Sequence, residues 1–158
     1  MSPMINDKDE LMQHAISVNA LLTEYIEVHN ELFKKQATFT SILKNLFVKR
    51  INFTESHVDT GLLLSKFQAK QEELNSIPPH KFAEQYSDYF DCLKEYFKSL
   101  LEAVEILNKR QMMLADKSVG DKVTWSEYST IEKEYKSALS KYSELGGRLN
   151  SMTQRILW

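Results

Sequence analysis

Four histidines and one cysteine are the residues of this 158-residue sequence best suited to metal binding or nucleophilic chemistry. Carboxylate-bundle metal sites place a histidine three positions after a glutamate on one helix face. Here the residues three before His14, His29, His57 and His80 are Leu11, Ile26, Thr54 and Ile77. Cys92 has no Cys-x-x-Cys partner, and neither a glycine-rich phosphate loop nor a Gly-x-Ser-x-Gly elbow occurs. The expectation is a non-enzymatic chain with no metal and no cofactor. Cys92 lies in an apolar-periodic stretch and reads as a small core residue. A lone cysteine closes no disulfide within the chain, and a reducing cytosolic setting is the simplest reading. His29 falls on an apolar seam, where it reads as satisfied by a neighbouring side chain, with a pH-sensitive interface role as the alternative.

Tyr128, Tyr135 and Tyr142 recur at intervals of seven. At that spacing tyrosine reads as core with its hydroxyl reaching the rim, not as a platform for stacking bases. The net charge of −2 gives no global attraction to polyanions, so no nucleic-acid partner is expected. Basic residues do cluster locally. Lys34, Lys35, Lys44, Lys49 and Arg50 form one group, and Lys109, Arg110, Lys117 and Lys122 surround a turn at 118–122. A cation near an anionic bilayer contributes about 1 kcal/mol. Lys109, Arg110, Lys117, Lys122, Lys49 and Arg50 are therefore the candidate lipid-binding residues, against the competing reading of an ordinary solvated helix face.

Long helices must position these groups. Only four glycines and three prolines occur, so a fold with many turns is excluded, while 42% hydrophobic and 27% charged residues fit one domain with its own core. No apolar run approaches the ~20 residues of a membrane span. The first helix is expected over 7–51, starting with a capping box at Asp7 and Glu10. Its seam runs through Leu11, Ala15, Val18, Leu22, Tyr25, His29 and Leu32 to Leu46, and Ile26, Phe33 and Phe47 widen it. A reversal is placed at Asn52 to Thr60, and a second helix over 58–117 is expected to kink near 78, where Pro78-Pro79 removes two amide donors. Phe90, Leu93, Phe97 and Leu100 belong to its most apolar stretch. After Gly120, Thr124 and Glu127 form a capping box that opens a last helix over 124–157, whose seam includes Tyr135, Tyr142 and Leu149. Gly146-Gly147 inside it fits a close helix crossing or a bend. The fold class expected is all-α, a long antiparallel three-helix coiled-coil bundle forming a single domain over 1–158. Three helices leave wide stripes uncovered, so a homodimer, or a heterodimer with a related helical chain, is expected through Phe90, Leu93, Phe97, Leu100, Tyr135, Tyr142 and Leu149.

The segment Tyr89-Phe90-Asp91-Cys92-Leu93-Lys94-Glu95-Tyr96, followed by Glu102-Ala103-Val104-Glu105-Ile106-Leu107-Asn108-Lys109-Arg110 and Leu114-Ala115-Asp116, resembles the central helix of sorting-nexin BAR domains. Those helices carry a similar Leu-x-x-Tyr, then small and apolar residues, then an arginine near the helix end. The likeness is strongest over residues 86–116 and elsewhere extends to the pattern of a long helix, a proline-kinked helix and a third after a tip turn. It implies a crescent dimer on endosomal membranes, cytoplasmic and peripheral, shaping or binding an anionic surface in protein transport through Lys109, Arg110, Lys117 and Lys122. The chain has no room for the phosphoinositide-binding PX domain such proteins carry upstream, and its last helix is shorter than their usual third. The alternative is a soluble coiled-coil adaptor that binds partner helices without touching lipid.

Overall fold

The computed structural model describes residues 6–35, 53–118 and 124–157, and these are helical apart from short connections. Four helices follow one another among them: α1 (Asp7–Lys35), α2 (Phe53–Ser76), α3 (Glu84–Ser118) and α4 (Trp125–Ile156). The all-α expectation holds. The expected division into three helices does not.

The helix expected over 58–117 is a hairpin of two helices, not a kinked rod. Thr60 on α2 donates to Asn108 on α3 at 2.9 Å, and Phe67 stacks on Phe97 with ring centroids 5.2 Å apart, so the two helices run antiparallel side by side. Two consecutive prolines remove two successive donors, which the helical ladder cannot bridge, and the chain turns back through residues 77–83. The Pro78 carbonyl accepts from the Lys81 amide at 3.1 Å within this turn, and the Ala83 carbonyl accepts from Tyr86 and Ser87 as α3 restarts.

The other boundaries shift for local reasons. Residues 53–60, expected as the first reversal, belong to α2. The far end of the helix expected over 7–51, the 118–122 turn beyond Ser118, and the side chains of Lys49, Arg50 and Lys122 lie outside the described residues. At the start of α1 the cap is Asn6, whose side-chain carbonyl accepts from the Asp9 amide at 2.8 Å. Asp7 and Glu10 turn to the α2–α3 connection instead: Asp7 accepts from the Ala83 amide at 2.7 Å, and Glu10 pairs with Lys81 at 2.5 Å. At α4 the expected cap is present, Thr124 accepting from the Glu127 amide at 3.1 Å.

The helices alternate in direction. Lys66 pairs with Glu24 and Lys70 reaches His14, so α1 is antiparallel to α2, while Lys141 with Glu102 and Thr153 with Tyr89 set α4 antiparallel to α3. At about 1.5 Å per residue, the 35 residues of α3 span about 50 Å. This helix is the axis of the fold. Phe90, Leu93, Phe97, Leu100, Leu101, Val104 and Leu107 are buried on it, a band wide enough to face α1, α2 and α4 together. Four of the seam residues expected to serve a dimer, Phe90, Leu93, Phe97 and Leu100, are thus buried within the chain, as are Tyr135 and Leu149 on α4, with Tyr142 half-buried.

Candidate functional site

Two features share the seam between α1 and α4: a polar and aromatic cluster at one end, and an open groove at the other.

The cluster is built on Arg110. This residue follows Leu107 on α3 at the spacing that continues the buried seam, and it is 1% exposed. A guanidinium in that position must have its donors satisfied by the protein. Its Nε is hydrogen-bonded and ion-paired to Glu132 of α4, one terminal nitrogen donates to the side-chain Oε1 of Gln111 at 2.7 Å, and the other donates to the Tyr128 hydroxyl at 3.1 Å. Tyr128 in turn donates to Glu132 at 2.5 Å. The flat face of the guanidinium lies 4.6 Å from the centre of the Phe33 ring of α1, a cation–π contact. Phe33 continues into a stack with His29 at 4.4 Å, and His29 stacks on Tyr135 at 5.7 Å. Nδ1 of His29 lies 2.7 Å from the Tyr135 hydroxyl, which lies 2.5 Å from the hydroxyl of Tyr25.

Burial dominates the acid–base behaviour of this cluster. It raises the Tyr25, Tyr128 and Tyr135 phenols far above the usual range, and so keeps them neutral and able to donate. Burial, and then the Arg110 charge, lowers the pKa of His29. The same cause pushes Tyr96 up to about 12 and raises the Cys92 thiol, which is 6% exposed. A thiol in that state is a poor nucleophile, in keeping with its expected role in the core. One polar atom of the cluster has no partner: Nε2 of the fully buried Gln111.

Along the bundle from this cluster, α1 and α4 part over α3. Residues Met12, Ala15, Ile16, Asn19 and Leu22 of α1 face Gly146, Leu149, Asn150 and Thr153 of α4, with Tyr89, Leu93 and Tyr96 of α3 as the floor. The space between them is about 350 Å³. Its walls are aliphatic and aromatic, its polar groups are neutral amides and hydroxyls, and no charged side chain lines it. Ile16 is 65% exposed on its edge. Gly146 belongs here for a steric reason: a Cβ at that position would stand 3.0 Å from the Tyr96 ring. Gly147 has nothing within 4 Å of the corresponding point.

The structure divides the candidate lipid-binding residues. Lys109 is exposed. Arg110 is not lipid-facing, because its charge is consumed in the core by Glu132, Tyr128 and Gln111. The side chain of Lys117, like those of Lys49, Arg50 and Lys122, lies outside what is described. The partners of Arg110 went unnoticed in the sequence. The signal was the seam itself, which steps from Leu107 to Leu114 through 110 and 111. Asn19, Asn150 and Thr153 carried no signal, since polar residues beside a seam are ordinary solvated positions.

Among the described residues no group of three His, Cys, Asp or Glu side chains is placed to hold a metal ion, and no helix is long and apolar enough to cross a membrane. Comparison with protein-family models, with curated proteins and with solved structures found no match to this chain.

Proposed function

We propose that this chain is a non-catalytic helical interaction module that receives one amphipathic helix of a partner protein in the groove between α1 and α4. The observation that carries the reading is the groove itself, an uncharged apolar trough over Leu93 and Tyr96 with Ile16 exposed at its edge. From Met12 to Leu22 its α1 wall is about 15 Å long, two to three helical turns. Its volume of about 350 Å³ suits a few large side chains, which an amphipathic helix presents from one face at intervals of three and four residues. Asn19, Asn150 and Thr153 offer neutral hydrogen-bonding groups beside the apolar floor, and no charge lining the groove asks for a charged anchor.

Of the two readings the sequence left open, this is the adaptor. The membrane reading is supported by the resemblance to sorting-nexin BAR helices and by the exposed Lys109. It loses Arg110 as a lipid contact, and the proline-kinked helix that matched that architecture is a hairpin.

Photo-crosslinking from Ile16 and Asn150, with Leu62 on the exposed face of α2 as control, tests the proposal. A crosslink specific to the groove positions is followed up with a synthetic peptide of the captured helix and purified protein. Peptide binding that Ala15→Trp weakens at least about tenfold, with melting unchanged, supports helix-in-groove docking. Equal binding by wild type and Ala15→Trp refutes it. Salt-sensitive co-sedimentation with anionic vesicles and no groove-dependent partner favours the membrane reading instead.

A further inference from the structure

The attachment of α1 depends on two histidines that are hydrogen-bonded through the same ring atom. His14 faces α2, where Nζ of Lys70 lies 3.3 Å from its Nδ1. Lys70 is 8% exposed, and an ammonium has donors only, so Nδ1 of His14 must accept. His29, four turns further along α1, faces α4, and its Nδ1 lies 2.7 Å from the Tyr135 hydroxyl. With Nδ1 accepting, the run is complete: Tyr25 donates to Tyr135, and Tyr135 donates to His29. A proton on Nδ1 disturbs both arrangements. At His14 it sets a donor against the Lys70 donor and a second cation beside a buried ammonium, and the Glu73 carboxylate, 3.9 Å from Nδ1 and already paired with Lys70, must then serve both cations. At His29 it reverses the run of hydroxyls and adds a cation to a stack that already holds Arg110 beyond Phe33.

We propose that α1 is an acid-releasable helix: protonation of His14 and His29 frees it from the unit formed by α2, α3 and α4. The proposal does not depend on what the groove holds.

The charges around each ring favour this direction. His14 meets Lys70 and Glu73 from α2, Lys81 from the α2–α3 connection and Glu10 from its own helix. Burial and then Lys70 lower its pKa against the opposing pull of Glu73 and Glu10. His29 meets Tyr135 from α4, Arg110 from α3, whose partner Glu132 is on α4, and Tyr25 from its own helix. Of the charged α2 side chains that are described, Lys66 lies nearest along the bundle, paired with Glu24 before His29 on α1. From α3 the charge that acts on the His29 ring is that of Arg110. In the released helix both rings return to the ordinary value of about 6.5, so as pH falls below that value the released form binds more protons and gains on the docked form. The contacts of α1 that do not titrate in this range include the pairing of Asp7 and Glu10 with the connection, the exposed Lys66–Glu24 bridge, the Tyr25–Tyr135 hydrogen bond, the Phe33–Arg110 contact and apolar packing. The other three helices have contacts that do not involve α1, since α2 and α4 each pack along α3.

Hydrogen exchange followed by mass spectrometry at pH 7.5 and 5.0, corrected for the intrinsic exchange rate, tests the proposal. Peptides of α1 are expected to lose protection by about tenfold or more at pH 5.0 while peptides of α3 change by less than about threefold. The variant His14→Asn/His29→Asn keeps an amide group near each Nδ1 and removes the titration, and its α1 is expected to stay protected at pH 5.0. Unchanged α1 protection in the wild type, an equal loss over all four helices, or the same loss in the double variant overturns the proposal. Should the double variant fail to fold, an NMR titration of the wild-type histidine rings decides. Opening of α1 must then track the protonation of His14 and His29, and opening that tracks neither overturns it.

Discussion

Replacing Glu132 by leucine separates two accounts of the Arg110 cluster. If the cluster is a closed structural unit, Arg110, 1% exposed, loses the carboxylate paired with its Nε while it stays buried. Breaking a buried ion pair from one side costs about 3–5 kcal/mol. The low end applies here. The Glu132 side chain is 23% exposed and so partly hydrated, and the Tyr128 hydroxyl and the side-chain Oε1 of Gln111 remain as acceptors for Arg110. The expected loss is about 3 kcal/mol, or a fall of about 6–12 °C in Tm for a domain of this size. Removing the whole unit has a different outcome. The triple variant Arg110→Met/Gln111→Leu/Glu132→Leu deletes both charges together with the unpartnered Nε2 of Gln111. Its stability is expected within about 1 kcal/mol of the wild type, or above it, because burying charge costs desolvation that a hydrophobic replacement avoids. Circular dichroism at 222 nm during heating and in urea at pH 7.5 measures both. A single Glu132→Leu change that costs under about 1 kcal/mol, or less than the triple variant, refutes the reasoning.

Three further outcomes follow from burial and local geometry. Gly147→Ala is expected to stabilise α4 by about 0.5–1 kcal/mol, since nothing lies within 4 Å of the new methyl, whereas Gly146→Ala meets the Tyr96 ring and should gain less or destabilise; urea midpoints compare the two. Cys92, 6% exposed and with its thiol pKa raised by burial, should resist an aromatic disulfide reagent in the native protein and react at the rate of a free thiol in urea. The buried phenols hold stability in full below their unfolded pKa of about 10 and lose it as pH rises toward their higher folded values, so the tyrosinate absorbance of these phenols should appear only together with loss of helix, above pH ~10. Tyrosinate formation for Tyr25, Tyr96 and Tyr135 with the helix signal intact would contradict that assignment.

Much of the fold was legible because apolar spacing is read directly from residue type. The seam residues Leu11, Val18, Tyr25 and Leu32 of α1 are buried, as are Tyr128, Ile131, Tyr135, Ala138 and Leu149 of α4. The capped start of α4 at Thr124 was equally readable. What failed was the meaning of Pro78-Pro79. Two prolines end a helix whether the chain then bends slightly or returns on itself, and only the pairing of Phe67 with Phe97 across the turn distinguishes the two. The number of helices, and with it the argument for a second copy, depended on that distinction. Charge was the other source of error. A lysine or arginine in a sequence reads as solvated, yet Lys70 and Arg110 occupy seam positions, between Phe67 and Leu74 in one case and between Leu107 and Leu114 in the other, and both are buried. A periodicity that continues through a charged residue is the better guide to its location than the charge.

The groove and the cluster have a common origin in side-chain volume along one seam. Where α1 meets the first half of α4, Tyr25, His29 and Phe33 stand against Tyr135 and Tyr142, and large rings fill the space between the two helices. Where it meets the second half, Ala15 and Asn19 face Gly146 and Asn150, and the small side chains leave the space open. Small residues would ordinarily let two helices approach, but the Tyr96 ring of α3 already lies against Gly146, and the rings at the other end hold α1 and α4 apart. Closing the groove would require α1 to tilt about its aromatic end and break its contacts with α2 at Lys70 and with the connection at Ala83 and Lys81. The groove is thus held open by packing elsewhere on α1, and the histidines that fix α1 also determine whether the groove has a second wall.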